Sequence, residues 1–295
     1  MPGSAPSIVV GLNAVIIALT EGQPRVLTVS LPEGAPIEGG VRGRNGEGGR
    51  LLEALPTGPL DPAGDRTLEL ALRRWVRATT GLELGYVEQL YTFGDRFRDP
   101  RQQGGGPRVM SVAYLALVGE SQPTRGLAAR WRSVYRFFPW EDWRGGRPRL
   151  IDEHIAPALQ RWIEAAADPP ARHHRRVRAV VSFATSGGPW DGERVLERYE
   201  LLFELGQVAE AKRESRSAPA APRVDAPAAA TGPEMAFDHR RILAAALGRI
   251  RAKIRYRPVI FELVPEEFTL LQLQQAVEAL AGLRLHKQNF RRLVG

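Results

Sequence analysis

The chain has 295 residues, with 41 Lys and Arg against 33 Asp and Glu, a net charge of +8 and no cysteine. The missing thiols exclude disulfides, thiolate metal sites and a cysteine nucleophile, while a hydrophobic content of 43% is enough to fill a core. The positive balance favours a polyanionic partner: a nucleic acid, a nucleotide or an acidic surface.

Residues 8–19 and 25–30 are rich in Val, Ile and Leu and are separated by Thr-Glu-Gly-Gln-Pro, the pattern of a two-stranded hairpin. The start lacks the basic run of a signal peptide. Its apolar stretch, broken by Gly11 and Asn13 and ended by Glu21, is too short to span a bilayer. The expectation is a soluble cytoplasmic protein without a membrane partner. Residues 33–50 are a Gly-rich loop that lacks the Lys-Ser/Thr end of a phosphate loop.

A helix is expected from about Asp65, with Leu68, Leu72, Trp75 and Val76 on one face and Gly81 as its stop. Strands are expected at 86–93 and 109–118, joined by a basic, Gly-rich connection. In the middle of the chain, IDEHIAPALQRWIEAAA reads as helix despite Pro157, RRVRAVVSFAT as strand, and GERVLERYELLFELGQVAEAK as one helix. His173 and His174 sit in a basic run with no partners for a metal.

Residues 212–234 are rich in Ala and Pro and have no apolar periodicity, so they read as a linker. Beyond them, Ile242, Leu243, Ala246, Leu247, Ile250 and Ile254 form a helical stripe. Pro258 opens a short second helix. Thr269 caps a third, carrying Leu270, Leu273, Val277 and Leu280, and Gly282 ends it. The closing RLHKQNFRRLV reads as a fourth helix. Leu285, Phe290 and Leu293 can face inward while Lys287 and Arg291, and Gln288 and Arg292, repeat four apart on a cationic, amide-bearing face.

Two stretches carry a resemblance to a known family. Arg74-Trp75-Val76-Arg77-Ala78-Thr79-Thr80-Gly81-Leu82 resembles the end of the Nudix signature, Arg-Glu-apolar-x-Glu-Glu-x-Gly-apolar. The Arg, the Gly and both apolar positions agree. The glutamates are replaced by Trp75, Ala78 and Thr79, and the earlier glutamate position falls on Arg66. Nudix hydrolysis needs carboxylates to hold Mg²⁺ against a pyrophosphate, so no Mg²⁺-dependent hydrolase activity is expected here.

The second stretch, with FDHRRI, KIRYRP, LVPEEFTLLQLQ and NFRR, resembles the C-terminal region of the Nudix-related transcriptional regulators of NAD metabolism, the NrtR type. Residues 88–118 are similar to that family's Nudix-like domain. Residues 141–234 carry no stretch recognisable from its compact members, so the chain reads as an enlarged variant.

The resemblance implies an α+β fold: a Nudix-like α/β/α sandwich with a mixed sheet, followed by an all-helical domain of winged-helix type. The domains fall at 1–211, with 141–211 as an extension, and at 235–295, joined by the linker 212–234. The implied function is a dimeric repressor of NAD biosynthesis or salvage genes that senses ADP-ribose or a related metabolite without hydrolysing it and needs no cofactor. Candidate ligand contacts are Arg66, Arg74, Arg96, Arg98 and Arg101, since guanidinium groups can neutralise a pyrophosphate without metal. Candidate contacts to double-stranded operator DNA are Lys287, Gln288, Asn289, Arg291 and Arg292. The competing readings are a Nudix hydrolase with an unorthodox metal site and a metabolite-binding scaffold that does not bind DNA.

Overall fold

The structure, a computed structural model, describes residues 8–32, 50–95, 108–119, 129–215, 230–254, 259–288 and 290. Strand β1 (Ile8–Thr20) turns through Glu21 and Gly22 into β2 (Gln23–Pro32). Both turn residues have positive φ, 50° and 68°, a conformation that glycine adopts freely and glutamate does not. Then come β3 (Leu51–Ala54), β4 (Thr57–Pro59), helix α1 (Leu68–Thr80), β5 (Tyr86–Phe93), β6 (Arg108–Leu117) and β7 (Arg130–Ser133).

The sheet runs β3-β2-β1-β6-β5, with β4 paired to β1 and β7 to β2. Strands β1 and β6 are parallel, from Ile8 opposite Arg108 to Ile17 opposite Leu117. The other pairs are antiparallel, so the sheet is mixed. Strand alternation divides its side chains. Leu12, Ala14, Ile16 and Ala18 of β1 pack with Ala71, Leu72 and Val76 of α1. Val15 and Ile17 face the opposite layer.

That layer is helical. It holds α2 (Val134–Phe137), a π-turn (Ile151–Ile155) running into α3 (Ala156–Glu164), α4 (Pro169–Phe183), α5 (Val195–Glu204), α6 (Ala209–Ser215), α7 (His239–Ile254), a 3₁₀ turn (Val259–Leu263) and α8 (Leu270–Ala281). One contiguous apolar cluster joins Val15 and Leu115 of the sheet to Phe183 and Leu202 of the middle region and to Ile242, Leu247, Leu273, Leu280 and Phe290 near the end. Each such side chain taken from water stabilises the fold by about 1.5–3 kcal/mol. The C-terminal helices therefore share a core with the sheet in this structure.

Several elements differ from the sequence reading. RRVRAVVSFAT is not a strand but the greater part of α4. Asp168 caps that helix by accepting a hydrogen bond from the Ala171 N–H (2.7 Å), prolines fill its first turn, and Ala179, Ser182 and Phe183 are buried along it. Its valines favour a strand by propensity, but the cap and the packing against α5 decide otherwise. The expected single helix over 192–212 is two, α5 and α6, broken at Gly206 with φ 68°.

Helix α1 starts at Leu68, three residues after Asp65, because Thr67 is its cap. Pro157 is accommodated where the π-turn meets α3, with the Ala156 N–H donating to the Ile151 carbonyl five residues back. The linker expected at 212–234 lies largely outside the described residues. Its first residues complete α6, Thr231 within the linker is buried, and so are Met235 and Ala236 just after it.

Candidate functional site

Helix α1 is built as its sequence dictates. The Thr67 hydroxyl accepts from the Leu70 N–H (3.1 Å), and Gly81 closes the helix at φ 77° with its N–H on the Arg77 carbonyl. Its apolar face is buried on the sheet. The positions that carry glutamates in the Nudix signature do different work. The indole of Trp75 lies on Gly58 of β4, so close that a Cβ at Gly58 would overlap it. Ala78 is exposed. The Thr79 hydroxyl turns back to the helix and donates to the carbonyls of Trp75 (2.9 Å) and Val76 (3.3 Å). Among the described residues, no three His, Asp or Glu side chains gather to hold a metal ion.

The arginines of α1 are engaged with the protein itself. Arg73 donates to the carbonyls of Leu84 and Gly85 and pairs with Glu69 (2.8 Å). Arg77 pairs with Glu83 (2.7 Å). Arg74 holds Asp65 through Nε (3.2 Å) and Nη2 (2.5 Å). The Asp65 carboxyl titrates below the usual aspartate value because it accepts the Asp61 N–H and the Arg74 guanidinium. Arg66 is exposed just before the helix. Arg96, Arg98 and Arg101 lie outside the described residues.

The C-terminal helices are fastened to the sheet by polar groups as well as apolar ones. His239, at the start of α7 and buried, accepts the Leu55 N–H on Nδ1 (3.0 Å), at the bend between β3 and β4. Arg240 is wholly buried. It donates to the Phe137 carbonyl (2.7 and 3.0 Å), to the Thr231 carbonyl and to Glu210 (3.2 Å). Lys253 reaches the Glu88 carboxylate (2.6 Å) and the Tyr86 hydroxyl (2.8 Å) on β5.

Glu141, just after α2, is wholly buried. Its carboxylate receives Arg198 of α5 (2.5 and 2.9 Å) and Arg251 of α7 (2.5 Å), and none of the three side chains is more than 3% exposed. Burial pushes the Glu141 carboxyl up, but the two guanidinium groups outweigh it and hold the group below the usual glutamate value. Arg251 lies one turn after Leu247 on the buried stripe of α7. An arginine in phase with an apolar stripe is the signal that could have revealed this ion pair from the sequence, and it was missed.

Helix α8 opens on a capping box between Thr269 and Gln272 and ends at Gly282, φ 70°. Lys287 and Gln288 follow on a helical stretch and are exposed, while Phe290 is buried. Asn289, Arg291 and Arg292 lie outside the described residues. The structure thus puts Lys287 and Gln288 on a solvent-facing surface beyond α8, apart in the chain from Arg66 and Arg74 at the signature helix.

Residues 260–295, which hold α8 and these side chains, match the family of the NrtR DNA-binding winged helix domain. The match to the NrtR family is confined to this C-terminal segment. A stretch of 59 residues is 41% identical to the ADPR responsive transcriptional repressor NtrR of Acinetobacter baylyi, spanning 20% of this chain and 24% of that protein. Among solved structures, Shewanella oneidensis NrtR is 20% identical with a TM-score of 0.52, over 97% of this chain and 84% of that one. The same protein complexed with a 27mer DNA gives the same identity and score over 81% of its chain. A MutT/nudix family protein from Enterococcus faecalis is 16% identical with a TM-score of 0.53, over 99% of this chain and 82% of that one. The fold is therefore a Nudix-like domain with a mixed sheet, carrying a C-terminal NrtR winged-helix domain. No helix among the described residues is long and apolar enough to cross a membrane.

Proposed function

We propose that this chain is a ligand-responsive transcriptional regulator of the NrtR type. It binds double-stranded operator DNA as a homodimer in the cytoplasm and represses genes of NAD biosynthesis or salvage. Its effector is ADP-ribose or a related NAD metabolite, bound without hydrolysis and without a required cofactor. The observation that carries the reading is the winged-helix segment at 260–295, with Lys287 and Gln288 exposed at its end. The repressor activity named for the Acinetobacter relative and the DNA held by Shewanella NrtR support it.

On this reading Lys287, Gln288, Asn289, Arg291 and Arg292 meet the duplex, where arginine suits guanine edges and phosphate and the amides suit adenine. The effector side is carried by Arg66, Arg74, Arg96, Arg98 and Arg101. Arg74 would exchange the one Asp65 oxygen that accepts both its Nε and its Nη2 for a pyrophosphate oxygen. The domains are 1–211 and 235–295, with 212–234 between them.

Regulation needs only that ADP-ribose and DNA favour different arrangements of these parts. A coupling of about 1–3 kcal/mol changes affinity roughly 5- to 150-fold. Fluorescence anisotropy of labelled genomic duplexes from upstream of NAD genes tests this, with and without ADP-ribose. The expected result is binding that weakens as ADP-ribose is added. Equal DNA affinity at zero and saturating ADP-ribose would overturn the effector assignment, and no DNA binding at all would overturn the regulator.

A further inference from the structure

The segment 135–144 touches three parts of the molecule. Toward the sheet, Arg144 donates through Nη1 to the Gly22 carbonyl (2.6 Å) and through Nη2 to the Gln23 side-chain oxygen (2.9 Å), gripping the β1–β2 turn. Asp142 holds the same guanidinium on its other edge (2.8 Å at Nε and at Nη2), and the guanidinium lies over the Tyr135 ring at 5.2 Å. Toward the winged helix, the Tyr135 hydroxyl donates to the Ala279 carbonyl (2.5 Å), and the backbone N–H of Trp143 to the Gly282 carbonyl (2.7 Å). Toward the middle region and α7, Glu141 holds Arg198 and Arg251, and Arg251 in turn donates to the Leu280 carbonyl (3.0 Å).

Gly282 sits against this segment so closely that a Cβ would overlap the Glu141 carbonyl oxygen. The last turn of α8 and the residue after it are thus bonded to the body of the protein at Ala279, Leu280 and Gly282. Lys287 and Gln288 begin five residues beyond that anchor. A short chain leaving a fixed point inherits its position and direction.

We propose that the segment 135–144 sets the position of the DNA-contacting helix relative to the sheet, with Arg144 and Tyr135 as positioning residues at its two ends. Rearrangement at the sheet then reaches Lys287 and Gln288 through this rigid contact rather than through the linker alone. The inference rests on the reading of the residues after Gly282 as the DNA-contacting element.

The test is made on the full chain with Arg144→Gln and Tyr135→Phe, each of which removes a grip while keeping most of the side-chain volume. Arg178→Ala, which removes an exposed pair with Glu204 (2.6 Å), is the control. Amide hydrogen exchange over 279–288 is measured beside the thermal midpoint, and binding to a labelled genomic duplex from upstream of an NAD gene is measured with and without ADP-ribose. Local opening shows as faster exchange confined to a segment. The expectation is faster exchange at 279–288 in both variants and not in the control. DNA binding should be about tenfold weaker or more, the scale of a lost base contact, and the ADP-ribose effect on it reduced.

Restoration of the exchange pattern and the DNA affinity by Arg144→Lys, which can still donate to the Gly22 carbonyl, supports the positioning role over a general loss of folding. Unchanged exchange at 279–288 overturns the proposal, as does faster exchange with unaltered DNA binding. If the unaltered protein binds no duplex, the DNA reading falls on its own account, and the exchange result alone decides whether this segment fixes the helix.

Discussion

Arginine is used in opposite ways at the signature helix and at the segment 135–144. Around α1 two guanidinium groups lie on the surface: Arg74 is 62% exposed, although the Asp65 it covers is 3% exposed, and Arg77 and Glu83 are each over 70% exposed. Beside Glu141, Arg198 and Arg251 are at most 3% exposed and each is satisfied by carboxylate and carbonyl oxygens. Surface groups can trade their partners for a ligand at small cost. Buried ones cannot, because an unpaired charge there is left without water. On the proposed reading the first region is the recognition surface, and the second is the stiff joint.

Four substitutions test this contrast. The largest effect is expected at Glu141→Ala, which leaves two buried guanidinium groups facing each other without a counterion. A stability loss of about 3–5 kcal/mol in denaturant titration is the scale for breaking a buried pair, and a loss below about 1 kcal/mol would show that the joint is not stiff. The pH dependence of the same group has a definite sign. Its folded pKa is depressed, so its contribution is fully present above the ordinary glutamate value of 4.5 and is lost as pH falls through the lower folded value. Glu141→Gln should therefore flatten the acid side of the stability profile, and an unchanged profile would contradict the ion pair.

Gly58→Ala comes next. Its Cβ would overlap the Trp75 indole, and forced overpacking of this kind costs about 1–3 kcal/mol, read as a lower thermal midpoint. If the midpoint is unchanged, the indole does not lie against β4. The smallest effect is expected at Arg77→Ala, where an exposed pair is worth less than about 1 kcal/mol. A larger loss by chemical denaturation would make the surface of α1 structural and remove its freedom to bind.

Strands β1, β2, β5 and β6 were readable from their apolar runs, and α1 from its periodic face and its glycine stop, whereas β3, β4 and β7, of three or four residues each, carry too little pattern to be read. The winged-helix segment was readable because its caps, Thr269 and Gly282, sit where helix chemistry requires them. The middle region was not. The valines of α4 gave a strand signal that Asp168 and the two prolines overrode, and Gly206 broke a helix whose apolar pattern runs on without a gap. The ion pair at Glu141 joins residues 57 and 110 positions apart; the local spacing places Arg251 on the buried stripe of α7 but names no partner for it. Trp75 was seen as the loss of a glutamate, but its contact with Gly58 needed the fold.

The central claim is that the signature helix belongs to a site that holds a nucleotide without cutting it. The direct measurement is equilibrium titration of the purified protein with ADP-ribose in Mg²⁺, followed by analysis of the recovered ligand. The account predicts saturable binding with the ADP-ribose intact after prolonged incubation. Cleavage of its pyrophosphate bond in proportion to protein would contradict it.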